Sequence, residues 1–166
     1  MLNNKDVAEH IAEKFEGKVG EFEQPFDLLT FTASREIIIP LLTYLKEHPQ
    51  YKIDFLTDIT GIHYPDATGR EFVVVYHLHS LINNFRVRIK VPLSKDDIHV
   101  PTATELYASA NWMERETYDF FGIIFDGHPN LIRILNIEEM DYFPLRKEYP
   151  VEDATRRDKI DALFGR

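Results

Sequence analysis

Residues 72–91 constrain the fold more than any other part of the chain. Phe72, Val74, Tyr76 and Leu78 alternate with Val73, Val75, His77 and His79. After Asn83-Asn84, Phe85, Val87, Ile89 and Val91 alternate with Arg86, Arg88 and Lys90. Alternation at period two marks half-buried strands. A two-residue turn at Asn83-Asn84 is chemically apt, because asparagine tolerates positive φ. It predicts Ile82 opposite Phe85, Ser80 opposite Val87, Leu78 opposite Ile89 and Tyr76 opposite Val91. One apolar face then runs the whole length of the hairpin and needs a second layer to cover it.

Helical periodicity supplies that layer. Val7, Ile11 and Phe15 share one face of a helix over 3–16, with Asn4 as its cap and Gly17 as its stop. Short strands follow near Val19–Phe22 and Leu28–Phe31. Ile37, Leu41 and Leu45 mark a second helix, which Pro40 predicts to start late. Tyr51, Ile53 and Phe55 alternate with Lys52 and Asp54 as a strand. From Pro101 the chain turns helical again, with Thr102-x-x-Glu105 and Asn111-x-x-Glu114 resembling capping boxes. A glycine, Gly122, ends that helix, and little regular structure is expected beyond it. The fold class is α+β: a two-layer core with a mixed β-sheet covered by helices, in the order α-β-β-α-β-β-β. The core spans residues 1–125, and residues 126–166 form an extended C-terminal arm. The polar end of that arm, Glu152–Arg166, is expected to order only against a partner.

The composition excludes several classes of function. A net charge of −9 disfavours nucleic acid and anionic lipid. The absence of cysteine removes disulfides, thiolate zinc sites and cysteine-ligated iron–sulfur clusters from these residues. No apolar run approaches the roughly 20 residues of a membrane helix, and the polar N-terminus lacks a signal peptide's apolar core. A soluble chain is expected, reaching a membrane only through its partners.

Few residues form a constellation that suggests catalysis. His77 and His79 share a strand face, but the expected register sets Lys90 and Arg88 opposite them, which opposes a metal and depresses histidine protonation. Asp58, His63 and Asp66 fall in a loop with Gly61, Pro65 and Gly69, a composition that also serves simple turns. With the Glu114/Glu116 pair, they are the only basis for a small free-standing hydrolase. His128 beside Asp126 has no nucleophile near it, and a turn histidine bonded to backbone is expected. The string Glu114-Arg115-Glu116-Thr117-Tyr118-Asp119 is denser than a solvated helix needs, and Arg115 is placed to pair with Asp119. Arg146 and Lys147, in a segment held extended by Pro144 and Pro150, suit docking on carboxylates or carbonyls.

Two long segments carry a family resemblance. The run from Glu114 through Gly122, Phe125, Gly127, His128, Pro129 and Leu131 to Arg133, followed by Pro144-Leu145-Arg146-Lys147-Glu148-Tyr149-Pro150, closely resembles the 30 kDa subunit family of respiratory complex I. Complex I is the proton-pumping NADH:quinone oxidoreductase. Leu56–Pro65 is a weaker echo, so the likeness covers about residues 50–150. Relatives often carry a glycine shortly before Pro-Leu-Arg-Lys, where this chain has Met140-Asp141-Tyr142-Phe143. The resemblance implies a non-catalytic, cofactor-free subunit of the peripheral arm on the cytoplasmic side of the membrane, beside subunits D, B and I. The FMN and iron–sulfur clusters would lie in partner subunits. It implies partner contacts on Glu114, Arg115, Glu116, Asp119, Gly122, Phe125, Gly127, His128, Pro129, Arg133, Pro144, Leu145, Arg146, Lys147, Tyr149 and Pro150. On that basis Arg146→Glu is expected to weaken assembly and leave the domain folded. Equivalent subunits of membrane-bound hydrogenases or formate hydrogenlyases share the pattern and stay open as the alternative.

Overall fold

The structure, a computed structural model, describes residues 2–149. Its elements are α1 (Asn4–Lys14), β1 (Val19–Glu23), β2 (Leu29–Ala33), α2 (Ile38–Glu47), β3 (Phe55–His63), β4 (Phe72–Ser80), β5 (Phe85–Leu93), β6 (His99–Pro101), α3 (Ala110–Phe121) and β7 (Ile124–Asp126). Five strands form one mixed sheet in the order β1-β2-β5-β4-β3, with β2 and β5 parallel and the other neighbours antiparallel. The short β6 and β7 pair in parallel beside it. This is the α+β class that the alternation predicts.

One face of the sheet meets the helices. Phe31, Tyr76, Val87 and Ile89 join Val7 and Ile11 of α1 and Ile38, Leu41, Leu42 and Leu45 of α2 in a single core. Each such side chain contributes about 2 kcal/mol of transfer free energy when taken out of water. The opposite face carries Arg86, Arg88, Lys90 and His77.

Several local expectations are corrected. The turn of the β4–β5 hairpin holds four residues, Leu81–Asn84, and the pairs are Ser80 with Phe85, Leu78 with Val87, Tyr76 with Ile89 and Val74 with Val91. The register slips by two, so every side chain keeps its face. The cause is tertiary: Asn83 Nδ2 donates to Tyr51 O (2.8 Å) and Ser80 Oγ (3.0 Å), which holds Asn83 inside the turn. In α1 the cap is Asn3, whose side chain accepts from Asp6 N, and the C-terminal cap is Phe15 rather than Gly17. Pro40 lies in the first turn of α2, where an N–H has no intrahelical acceptor to lose, so the helix does not start late. Tyr51 and Ile53 are buried coil. Tyr51 hydrogen-bonds His10 and Ile53 N donates to Leu45 O, while the strand begins only at Phe55. Neither capping box forms, because α3 starts at Ala110 after a run of turns and Glu114 faces inward. After Gly122, where little regular structure is expected, the chain forms the three-residue β7.

α3 packs on β3 at one glycine. A Cβ on Gly61 would lie 2.6 Å from the Phe121 ring. Thr117 Oγ1 adds a bond to Ile59 O at 3.2 Å. Gly61→Ala is expected to cost about 2 kcal/mol by overpacking, and Phe121→Leu in the same chain to recover part of it, as read by urea unfolding.

Candidate functional site

Three charged side chains of α3 turn away from solvent, and two of them bind the segment that follows β7. Asp119 is fully buried. Its Oδ2 accepts from the backbone N–H groups of Ile134 (3.1 Å), Leu135 (2.8 Å) and Asn136 (2.9 Å). Its Oδ1 accepts from Arg133 Nη1 (2.7 Å) and Asn136 Nδ2 (3.1 Å). Burial alone would push this carboxyl up. The N–H groups of Asn136 and Leu135, the Arg133 guanidinium and the Asn136 amide together outweigh it and hold the group well below the usual carboxylate range.

The arginines complete the frame from both sides. Arg133 Nη2 donates to Met140 O and Tyr142 O, each at 2.8 Å, and its Nη1 to Asp119 O. Arg115 does not pair with Asp119; its Nε donates to Ile132 O (3.1 Å) and its Nη2 to Arg133 O (2.9 Å). Arg146 Nε donates to Phe121 O at 2.7 Å, with its guanidinium over the rings of Phe72 and Phe143. Burial pulls the Arg146 pKa below its ordinary value, against the raising effects of Glu148 and Tyr149. Gly122 makes this stack possible. It ends α3 at φ 73°, and a Cβ there would sit 2.5 Å from Arg146 Nη2 and 2.6 Å from the Phe143 ring. The path through Met140–Phe143 uses no left-handed residue in place of the relatives' glycine.

Residues 143–149 are not extended. They form successive turns, with Arg146 N donating to Phe143 O and Tyr149 N to Arg146 O. The segment docks on the core through Leu145 N to Phe120 O (3.2 Å) and Lys147 N to His63 Nδ1 (3.0 Å). His128 is bonded to backbone as expected, with Nδ1 accepting from Asn130 N, so that Nε2 is left to donate to Asn111 O.

The residues expected to meet partners therefore divide. Glu114, Asp119 and Phe125 have almost no exposed surface, and Gly122 lies beneath Arg146. Arg133 keeps 10% and Arg146 20% of its side chain exposed, both committed to carbonyls within the chain. These side chains are committed to the chain's own packing, which Arg146→Glu would disturb. Glu116, Gly127, Pro129, Leu145, Lys147 and Tyr149 stay exposed, Arg115, His128 and Pro144 are half-buried, and Pro150 lies outside the described residues. The end Glu152–Arg166 also lies outside them. What the sequence reading missed is a row of exposed apolar side chains on the docked segment: Ile132, Leu135, Ile137 and Tyr142 beside Leu145 and Tyr149. Leu135 is 64% and Ile137 68% exposed, although Asp119 fixes the backbone between them.

Glu114 is the third inward side chain. It is fully buried, with Oε1 accepting from Ala103 N (2.7 Å) and Oε2 against Thr102 Oγ1 (2.5 Å). Burial pushes its pKa up to about 7, against the lowering effect of those two donors. Because the folded value is raised, stability is fully present below the ordinary carboxylate range and is lost as pH rises through about 7. Asp119 has the opposite sign: its contribution is present above the ordinary range and is lost as pH falls below it.

The elements of a hydrolase do not converge. Asp58 and His63 lie in β3 rather than in a loop, and they point to opposite faces of the sheet. Asp58 is opposite His77, whereas His63 is opposite Phe72, on which its ring stacks at 4.4 Å. Glu116 is exposed while Glu114 is buried. His77 faces Arg88 and His79 faces Arg86, a two-residue slip from the expected Lys90 and Arg88. Burial, then Arg88, lowers the His77 pKa against the opposing effect of Asp58. Among the described residues no three histidine or carboxylate side chains form a metal-holding group, and no helix is long and apolar enough to cross a membrane.

The family described as respiratory-chain NADH dehydrogenase, 30 Kd subunit, matches residues 31–155. The NADH-quinone oxidoreductase C subunit of Trichlorobacter lovleyi is 38% identical over 156 residues, covering 94% of this chain and 95% of that protein. The protein of the same name from a Nocardioides species is 44% identical over 123 residues, 74% of this chain and 49% of that protein. The chain thus spans about half the length of this last relative. A trypsin-resistant fragment of Nqo5 superposes with a TM-score of 0.63 at 32% identity, over 77% of this chain and 99% of the fragment. A chain of a membrane-bound sulfane sulfur reductase, an archaeal respiratory membrane complex, superposes with a TM-score of 0.71 at 25% identity, over 89% of this chain and 85% of that one.

Asp119→Asn, nearly isosteric, leaves Arg133 and three N–H groups without their anion. It is expected to destabilise the chain by about 3 kcal/mol and to speed trypsin cleavage after Arg133. An unchanged cleavage rate would show that the carboxylate does not hold the segment.

Proposed function

Because the chain belongs to the 30 kDa subunit family of respiratory-chain NADH dehydrogenase, we propose that it is a non-catalytic structural subunit of the peripheral arm of a proton-pumping NADH:quinone oxidoreductase. In this reading it carries no cofactor, and FMN and iron–sulfur clusters belong to partner subunits. It sits against subunits D, B and I on the cytoplasmic side of the membrane, which it reaches only through the assembled complex. Its work is to fix the positions of the redox and quinone-site subunits while electrons pass from NADH to quinone.

One observation carries this reading: an apolar row is held outward by a polar frame turned inward. Asp119, Arg133 and Arg115 fix the backbone of residues 132–136, and Ile132, Leu135 and Ile137 stay 45%, 64% and 68% exposed. Apolar side chains on a rigid backbone, with few rotamers left to freeze, are what a lasting interface uses. The lack of cysteine agrees with a chain that holds no cysteine-ligated cluster. The contacts move accordingly, from the charged residues to this row with Leu145 and Tyr149, while Glu116 and Lys147 lie among the exposed polar residues that a rim would use.

The likeness to the sulfane sulfur reductase chain favours a second reading, an equivalent subunit in a related membrane-bound complex. Co-purification with NADH-oxidising subunits separates the two.

Co-expression with the hydrogenase-like partner subunit and size-exclusion chromatography test the interface. The double variant Leu135→Asp, Ile137→Asp is expected to weaken co-elution by about 30-fold or more, while the chain alone keeps its unfolding midpoint. Normal co-elution of that variant would overturn the assignment.

A further inference from the structure

We propose that Glu114 is a proton-binding site and that the hydroxyls of Thr102 and Thr104 connect it to solvent. The carboxyl is wholly inside the core, yet no lysine, arginine or histidine nitrogen lies within ion-pair distance of it among the described residues. A buried carboxylate without a counter-cation is costly, and a bound proton removes the charge.

The hydrogen-bond partners around the site can accommodate the neutral acid. Oε1, as the carbonyl oxygen, accepts from Ala103 N at 2.7 Å. Thr102 Oγ1 donates to Oε2 when the group is ionised; in the neutral acid Oε2, as the hydroxyl, would donate to Thr102 Oγ1 across the same contact. Thr102 Oγ1 also accepts from Thr104 N at 3.2 Å, which fills its two acceptor positions. Its own proton is then left for Thr104 Oγ1 at 3.0 Å. Both threonines are half-buried, and Thr104 forms the outer end of the chain.

Ionisation follows the same atoms and balances. The Glu114 proton passes to Thr102 Oγ1, the Thr102 proton passes to Thr104 Oγ1, and the Thr104 proton leaves to water. Thr102 is then left donating to Oε2 through the proton it received, and Thr104 donating to Thr102. One proton lost therefore reverses both hydroxyl bonds, within the turn that joins β6 to α3.

The groups facing Glu114 reinforce the assignment. On β4, the Tyr76 hydroxyl is buried and without a hydrogen-bond partner among the described residues. Its pKa is raised well above the ordinary value, by burial first and by Glu114 second, so it stays a neutral hydroxyl beside the carboxyl. From the turn come only the two hydroxyls and Ala103 N. On α3 itself, Arg115 is committed to Ile132 O and Arg133 O. The raised Glu114 value stated above agrees with this geometry.

The test is a carbon-13 NMR titration of the full chain labelled at glutamate side-chain carboxyls. One resonance is expected to titrate near neutral pH and to vanish in Glu114→Gln, whose amide keeps the carbonyl for Ala103. Thr102→Val should move that midpoint upward and slow proton exchange, whereas Thr102→Ser should restore both. Loss of the Glu114 proton within the ordinary carboxylate range would overturn the site. A Thr102→Val protein with unchanged midpoint and exchange would overturn the path. Wild type and Thr102→Ser carry the decision if Thr102→Val does not fold.

Discussion

The Asp119 carboxylate is the interaction on which the segment after β7, residues 132–142, depends. It receives three consecutive backbone N–H groups, an amide and a guanidinium, all from residues 133–136 and all within 3.1 Å. A buried anion so surrounded resembles an oxyanion nest, in which the hydrogen bonds outweigh the desolvation that opposes the charge. Without it the segment after β7 has little reason to lie along α3, since its side chains mostly point outward. Arg133, fixed by that carboxylate, in turn takes the carbonyls of Met140 and Tyr142, so one charge orders about ten residues of irregular chain.

Gly122 sets the other half of the geometry. The left-handed stop of α3 brings the Phe121 carbonyl and the Phe143 and Phe72 rings around Arg146. A side chain at position 122 would fill the space the guanidinium occupies. The acids and arginines Glu114, Arg115, Asp119, Arg133 and Arg146 thus bond mostly within the chain, while Ile132, Leu135, Ile137, Leu145 and Tyr149 lie exposed.

Much of the fold was legible because period-two and period-3.6 patterns survive any tertiary context that keeps faces intact. The hairpin register shows the limit. A slip of two residues leaves every face unchanged, so alternation cannot detect it, and the bonds from Asn83 to Gln50 O, Tyr51 O and Ser80 Oγ decide it. Tyr51 and Ile53 alternate because they dip into the core from a coil, not because they belong to a strand. For the site, the sequence marked the dense segments but not the direction in which their side chains turn. Charged residues near one another suggest an outward face, and nothing in Asp119 itself shows that Ile134, Leu135 and Asn136 will deliver their N–H groups to it. The bond of Glu114 to Thr102 was equally hidden, since Asn111-x-x-Glu114 has the spacing of a local cap.

With these bonds in place residues 132–149 are framed by the chain's own side chains before any partner arrives. Hydrogen–deuterium exchange of the free, full-length protein tests this directly at the amides of Ile134, Leu135 and Asn136. Slow exchange there, comparable with that of the amides in α3, is the predicted result. Exchange at the rate of an unstructured peptide, becoming slow only in the assembled complex, would contradict it and return the folding of the arm to the partner.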